Sequence, residues 1–128
     1  MDDDLTHRII GAAIEVHRIV GPGVLESTYE ECLAVELGIA GLSFERQIAQ
    51  PLIYKSVEIV RAYRCDLIVE GEVIVEIKTV DKVLSVHTAQ VRTYLILSGL
   101  DRGLLFNFNS ILLKDGIYRI SRSLSRAG

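Results

Sequence analysis

At 128 residues, 49 % of them apolar, with a formal net charge of −3, the chain is sized for a single domain over residues 1–128 with a substantial core. That composition excludes a disordered chain, and no apolar run approaches the roughly 20 residues of a membrane span. The acidic start, Met-Asp-Asp-Asp, does not read as a secretory leader, and the acidic balance argues against a general polyanion binder unless a local basic patch or a bound cation overrides the total.

Asp2, Asp3 and Asp4 place negative charge at a helix start. Leu5, Ile9, Ala12, Ala13, Val16 and Val20 continue it at helical spacing, and Gly21-Pro22-Gly23 stops it. His7 and His17 carry no assigned chemistry. A second helix is predicted from about Leu25 to Leu37, with Leu25, Tyr29, Cys32, Leu33 and Leu37 as its apolar face and Gly38 and Gly41 at its end. Glu26, Glu30 and Glu31 suit its N-terminal dipole. Glu26 follows the tight Gly-Pro-Gly turn, so its placement is well determined.

Phe44 to Ile53 reads as a strand, interrupted by Pro51 in the manner of an edge. Val57 to Val60 is a second strand that runs on towards Tyr63, with Lys55-Ser56 as the turn between them. Ser85 suits the N-cap of a third helix, Val86 to Ser98, which places His87, Gln90, Val91 and Tyr94 on one side. Gly103 to Asn107 is a short apolar strand. Ile111–Lys114 and Ile117–Ile120 flank Asp115-Gly116, a strong signal for a C-terminal β-hairpin. The tail, Ser121 to Gly128, is expected to fray. Cys32 and Cys65 lack metal-type spacing, so they are expected as reduced core residues of a cytoplasmic protein. The element order predicts an α/β (α+β) fold with a mixed β-sheet flanked by helices.

The most informative stretch is Tyr63 to Val80, a predicted β-hairpin around Glu70-Gly71-Glu72. Alternation puts Ile74, Glu76 and Lys78 on one face of its second strand and Val73, Val75 and Ile77 on the other. On the first strand it groups Cys65, Leu67 and Val69, with Asp66 opposite beside Arg64 and Ile68. An odd-numbered turn puts Asp66 on the face of Glu76, and an even one sends it to the far face. A Gly-centred three-residue loop favours the shared face. Two carboxylates and an ammonium would then converge, and carboxylate oxygens suit a hard divalent cation. Glu-x-Lys on a strand is often only a solvated ion-pair face. The apolar run Val73-Ile74-Val75 instead indicates a central strand, where charges are costly unless paired or metal-bound.

Gly23-x-x-Glu26-x-x-Tyr29, Tyr63-Arg64-Cys65-Asp66-Leu67, Glu76-Ile77-Lys78 and His87-Thr88-Ala89-Gln90, in that order, resemble the small GxxExxY protein family of the PD-(D/E)XK nuclease superfamily. The resemblance runs from about Leu5 to Ile120. It implies a restriction-endonuclease-like core of helix, three antiparallel strands, helix and strand. It also implies that Asp66, Glu76 and Lys78 are the metal and catalytic set. Glu26 matches the helical acidic residue that often completes such a site, and Gln90 and Tyr94 match a motif that positions nucleic acid. Cys65 stands where the superfamily's name has proline. The expected activity is Mg²⁺- or Mn²⁺-dependent hydrolysis of phosphodiester bonds in nucleic acid, DNA foremost, with the Ile77 carbonyl as a further metal ligand. A non-catalytic binding or regulatory module that keeps the fold is the alternative, and a metal-dependent hydrolase of another substrate a minor third reading. A homodimer would enlarge the surface that so small a domain offers to a duplex. Arg119, Arg122 and Arg126 stand near the end of the chain as phosphate contacts or, more simply, solvated surface.

Overall fold

The capping of the first helix is specific: the Asp3 carboxylate accepts from the Thr6 backbone N–H at 2.7 Å and from the Thr6 hydroxyl at 2.9 Å, relieving orphan donors of the first turn. In the computed structural model, which describes residues 3–122, that helix, α1, spans Asp4–Val20. It is followed by α2 (Glu26–Ile39), β1 (Phe44–Tyr54), β2 (Val57–Val69), β3 (Val73–Lys78), α3 (Ser85–Ser98), β4 (Arg102–Asn107), a 3-10 turn at Leu113–Gly116, and β5 (Ile117–Ser121). Asp2 and the tail beyond Arg122, with Arg126, lie outside the described residues.

The sheet has the order β1-β2-β3-β4-β5. β1, β2 and β3 are joined antiparallel, β3 and β4 run parallel, and β4 and β5 are antiparallel. A parallel pair needs a crossover, and α3 supplies it. Both faces of the sheet are covered. Leu67, Val69, Val73, Val75, Ile77, Leu104 and Phe106 pack under α1 and α2. Cys65, Ile68, Ile74 and Leu105 pack under Val91, Tyr94 and Leu95 of α3. β3 is therefore a two-sided central strand, which explains its near-continuous apolar run.

The second strand does run on through Tyr63, as one strand, β2, entered from β1 by the Lys55-Ser56 turn with positive φ at both residues. Several boundaries differ from the sequence reading. Leu25 is 73 % exposed and stands at the N-cap of α2 rather than on its buried face. The third helix starts at Ser85, and its entry is closed by His87, whose Nδ1 accepts from the Leu84 N–H at 2.9 Å. The C-terminal β-hairpin is built by β4 and β5. Residues 111–114, expected as its first strand, lead instead into the 3-10 turn.

Gly116 explains that last difference. A two-residue hairpin turn would need positive φ at this glycine, but Gly116 is not among the positive-φ glycines and its role is close approach. A Cβ there would lie 2.6 Å from the Asn107 carbonyl oxygen and collide with the Ser110 hydroxyl. Gly116→Ala should therefore destabilise the fold by about 1–3 kcal/mol in urea unfolding. Gly11→Ala, in α1 with nothing within 4 Å, should stabilise it by about 0.5–1 kcal/mol.

Candidate active site

The loop between β2 and β3 sets the register. Glu70 and Gly71 both have positive φ, and the Glu72 N–H closes the turn on the Val69 carbonyl at 3.0 Å. The Glu70 carboxylate accepts from the Ser43 backbone N–H at 2.6 Å and the Ser43 hydroxyl at 2.8 Å, tying the turn to the start of β1. Three residues thus separate Val69 from Val73, and the pairing Val69↔Val73, Ile68↔Ile74, Leu67↔Val75 follows.

The paired register ends there, just before Asp66 meets Glu76. β2 continues beside β1, while β3 stays with β4 as far as Lys78↔Asn107. In the fork the two carboxylates replace the backbone ladder. The Asp66 N–H donates to Glu76 Oε1 at 2.9 Å, and the Ile77 N–H donates to Asp66 Oδ2 at 2.8 Å. Lys78 Nζ lies 4.0 Å from Glu76 Oε2 and donates to Gln90 Oε1 of α3 at 3.3 Å.

Alternation breaks at the same point. Cys65 packs on the α3 side whereas Leu67 and Val69 pack on the α1/α2 side, so the three do not share a face. The break is mirrored on β1. Gln47, in register with Asp66, has φ 53°, and Ile48 beyond it packs on the α3 side while Phe44 packs opposite. With both strands turning over together, Gln47 Nε2 reaches Asp66 Oδ1 at 3.4 Å and Glu30 Oε1 at 2.6 Å.

Burial sets the electrostatics. Glu76 is 4 % exposed, and desolvation, reinforced by the Asp66 charge, pushes its pKa from 4.5 to about 8 against the pull of the Asp66 N–H and Lys78. Asp66 is also raised, chiefly by burial. Glu26, at the first turn of α2, is raised by partial desolvation and then by the Asp66 charge, with Lys78 pulling it down. Tyr29, three residues on, is stacked on Phe108 at 4.5 Å, and its hydroxyl donates to the Gly21 carbonyl at the Gly-Pro-Gly turn. The turn thereby fixes the start of α2, where Glu26 is exposed and within charge-interaction range of Asp66, Lys78 and Glu76.

Two residues stand in this environment that the sequence reading did not single out. Glu30, assigned there to the helix dipole, is buried and accepts from Arg46 Nε at 3.0 Å as well as from Gln47. Its signal was its place four residues beyond Glu26, on the same helix face. Gln47 gave no signal, because a non-glycine residue with positive φ has no local signature. Tyr94 is buried, edge-on to Tyr63 at 5.7 Å, and burial followed by the Glu76 charge raises its hydroxyl pKa.

One comparison bears on the family of this chain: the family profile of the PD-(D/E)XK nuclease superfamily matches residues 3–120. The chain belongs to the PD-(D/E)XK nuclease superfamily. Neither a curated protein nor a solved structure matches it. Helices around a five-stranded mixed sheet are consistent with the PD-(D/E)XK fold, and nucleases of this superfamily generally use divalent metal ions. Cys65, where the superfamily's name has proline, is a packing residue. Burial pushes its thiol pKa up to about 11, which leaves it without nucleophilic thiolate. No helix among the described residues is long and apolar enough to cross a membrane.

The donor set fits such an ion. Among the described residues no three His, Cys, Asp or Glu side chains form a ready cluster. Two carboxylates and a backbone carbonyl, however, make an all-oxygen set suited to a hard cation that keeps several waters. Glu76 is also a buried carboxylate whose charge is incompletely offset.

The raised acid has a signed consequence. Between 4.5, the ordinary value, and about 8, the unfolded chain ionises Glu76 while the folded chain holds its proton. The folded state then binds more protons, so the stability of the metal-free protein should fall as pH rises through this window. Urea unfolding in chelator should show that decline, and Glu76→Gln, which cannot ionise, should flatten it.

Proposed function

We propose that this chain is a metal-dependent nuclease that hydrolyses phosphodiester bonds of nucleic acid, DNA foremost, with Mg²⁺ or Mn²⁺. The observation that carries the reading is the fork itself. Asp66 and Glu76 each anchor one oxygen on the other strand's backbone, so their other oxygens are oriented before any ligand arrives.

Asp66, Glu76 and the Ile77 carbonyl would hold the cation, and Glu26 would join them directly or through water. When bound, a divalent cation supplies a Lewis acid for the phosphoryl oxygen and lowers the pKa of water. Lys78 holds positive charge beside the attacking oxygen and the phosphoryl group, where charge grows in the transition state. Its ammonium is kept there by Gln90 and Glu76. Gln90 thus acts as a positioning residue through Lys78 as well as a candidate substrate contact. Tyr94, buried against Tyr63, supports the wall behind Glu76. Gln47, whose amide is held by Glu30, donates to Asp66 and orients it.

Chelator should abolish cleavage. Glu76→Gln should weaken Mn²⁺ binding in calorimetric titration and lose cleavage while staying folded, because a neutral amide resembles the protonated acid and its oxygen still accepts from Asp66. Lys78→Ala should bind Mn²⁺ as well as or better than wild type, since a competing cation is gone, yet cleave about 10²–10³-fold more slowly. Wild-type protein that binds metal but cleaves no single-stranded, duplex or branched substrate would favour the non-catalytic binding module.

A further inference from the structure

β1 and β2 continue past the fork as a two-stranded arm, and the arm is bent. The register changes from Gln50↔Tyr63 to Leu52↔Ile59, so Pro51 on β1 faces Val60, Arg61 and Ala62 on β2. Proline has no N–H to donate, and a bulge of this kind re-aims side chains. Arg61 and Arg64 are three positions apart, which in a regular strand puts them on opposite faces. Here both line one cavity of about 600 Å³, with Gln47, Ala49, Ala62 and Tyr63. Arg64 is paired across the strands with Ala49, whose short side chain leaves room beside it.

Among the described residues neither Arg61 nor Arg64 makes a side-chain hydrogen bond or salt bridge, whereas Arg18, Arg46, Arg102 and Arg122 all have carboxylate partners. The cavity also joins the carboxylate fork through Gln47, which lines one and hydrogen-bonds Asp66 of the other. Arg122, considered earlier as a phosphate contact, is engaged by Asp101 at 2.8 Å.

From this juxtaposition we infer that the cavity of the bent arm binds the sugar-phosphate backbone of the nucleic acid next to the cleaved bond, with Arg61 and Arg64 as its phosphate ligands. The inference rests on the nuclease reading and extends it to the substrate. A polyanion brought to a cluster of carboxylates on an acidic protein needs a local cationic wall. Unpaired guanidiniums, planar and always charged, match phosphate oxygens two at a time.

The test is binding of a short fluorescent duplex and of its single strand, followed by anisotropy, with Ca²⁺ in place of Mg²⁺ to suppress turnover and salt varied from about 50 to 200 mM. Replacing both arginines by alanine should weaken binding and reduce the slope of log affinity against log salt by roughly 0.7–0.9 per lost contact. Mn²⁺ affinity by calorimetry should stay unchanged. The Arg61→Lys, Arg64→Lys double variant should retain most of the slope, and Arg18→Ala, on α1, all of it. Wild-type binding whose slope the alanine pair leaves intact overturns this inference while the nuclease reading stands. So does a loss of Mn²⁺ affinity in the alanine pair, since the arginines would then act through the fork. Wild-type protein that binds neither oligonucleotide overturns both.

Discussion

Where β2 parts from β3, two backbone N–H groups lose their ladder partners, and a buried N–H left unsatisfied costs about 1–3 kcal/mol. Asp66 and Glu76 satisfy them reciprocally. This exchange keeps the fork open and the carboxylates oriented, and the other features of the site hang from it. Each acid spends one oxygen on the opposite strand and presents the other, Glu76 Oε2 towards Lys78 and Asp66 Oδ1 towards Gln47. The same residues are thus structural and chemical. Truncating either would orphan an N–H as well as remove a proposed metal ligand, so inactivity after an alanine substitution would not separate the two roles. An isosteric amide at position 76 does separate them.

A graded set of partners surrounds the fork. Glu30 is held by Arg46, which also binds Glu31 at 2.6 Å, so its charge is largely neutralised within the scaffold. Asp66 has only the Gln47 amide and one backbone N–H as direct donors, and Glu76 has a lysine at the edge of ion-pair distance. Neutralisation declines from the scaffold towards the fork, and the unmet demand for positive charge peaks where a cation would sit. Gln47 makes this gradient possible. Its left-handed backbone costs of order 1 kcal/mol, and in return β1 and β2 turn over together and bring the amide between Glu30 and Asp66.

The central hairpin was legible because it obeys two local rules, alternation and turn length. Counting three residues from Val69 to Val73 is enough to set Asp66 opposite Glu76. The failure at Cys65 has the same root. Alternation assumes an unbroken ladder, and the fork that breaks it depends on β1, far away in sequence. Glu30 was hidden by a sufficient local explanation, the helix dipole, and only the fold shows the carboxylate buried. Asp115-Gly116 misled for a related reason. Glycine serves both positive φ and close approach, and the crowding at Asn107 and Ser110 that decides between them comes from residues the turn signal does not include.

The bend of the arm follows from the same economy of the backbone. Pro51 donates no N–H, so β2 can carry extra residues opposite it with less loss of pairing. Without that irregularity Arg61 and Arg64, three positions apart, would fall on opposite faces of β2. Irregular backbone therefore occurs twice along β2: at Asp66 it accompanies the carboxylate fork, and at Val60–Ala62 it accompanies a cavity lined by both Arg61 and Arg64. Between them lie only Tyr63, Arg64 and Cys65, so acidic fork and basic wall are set side by side by a single strand whose regular parts are held in the core.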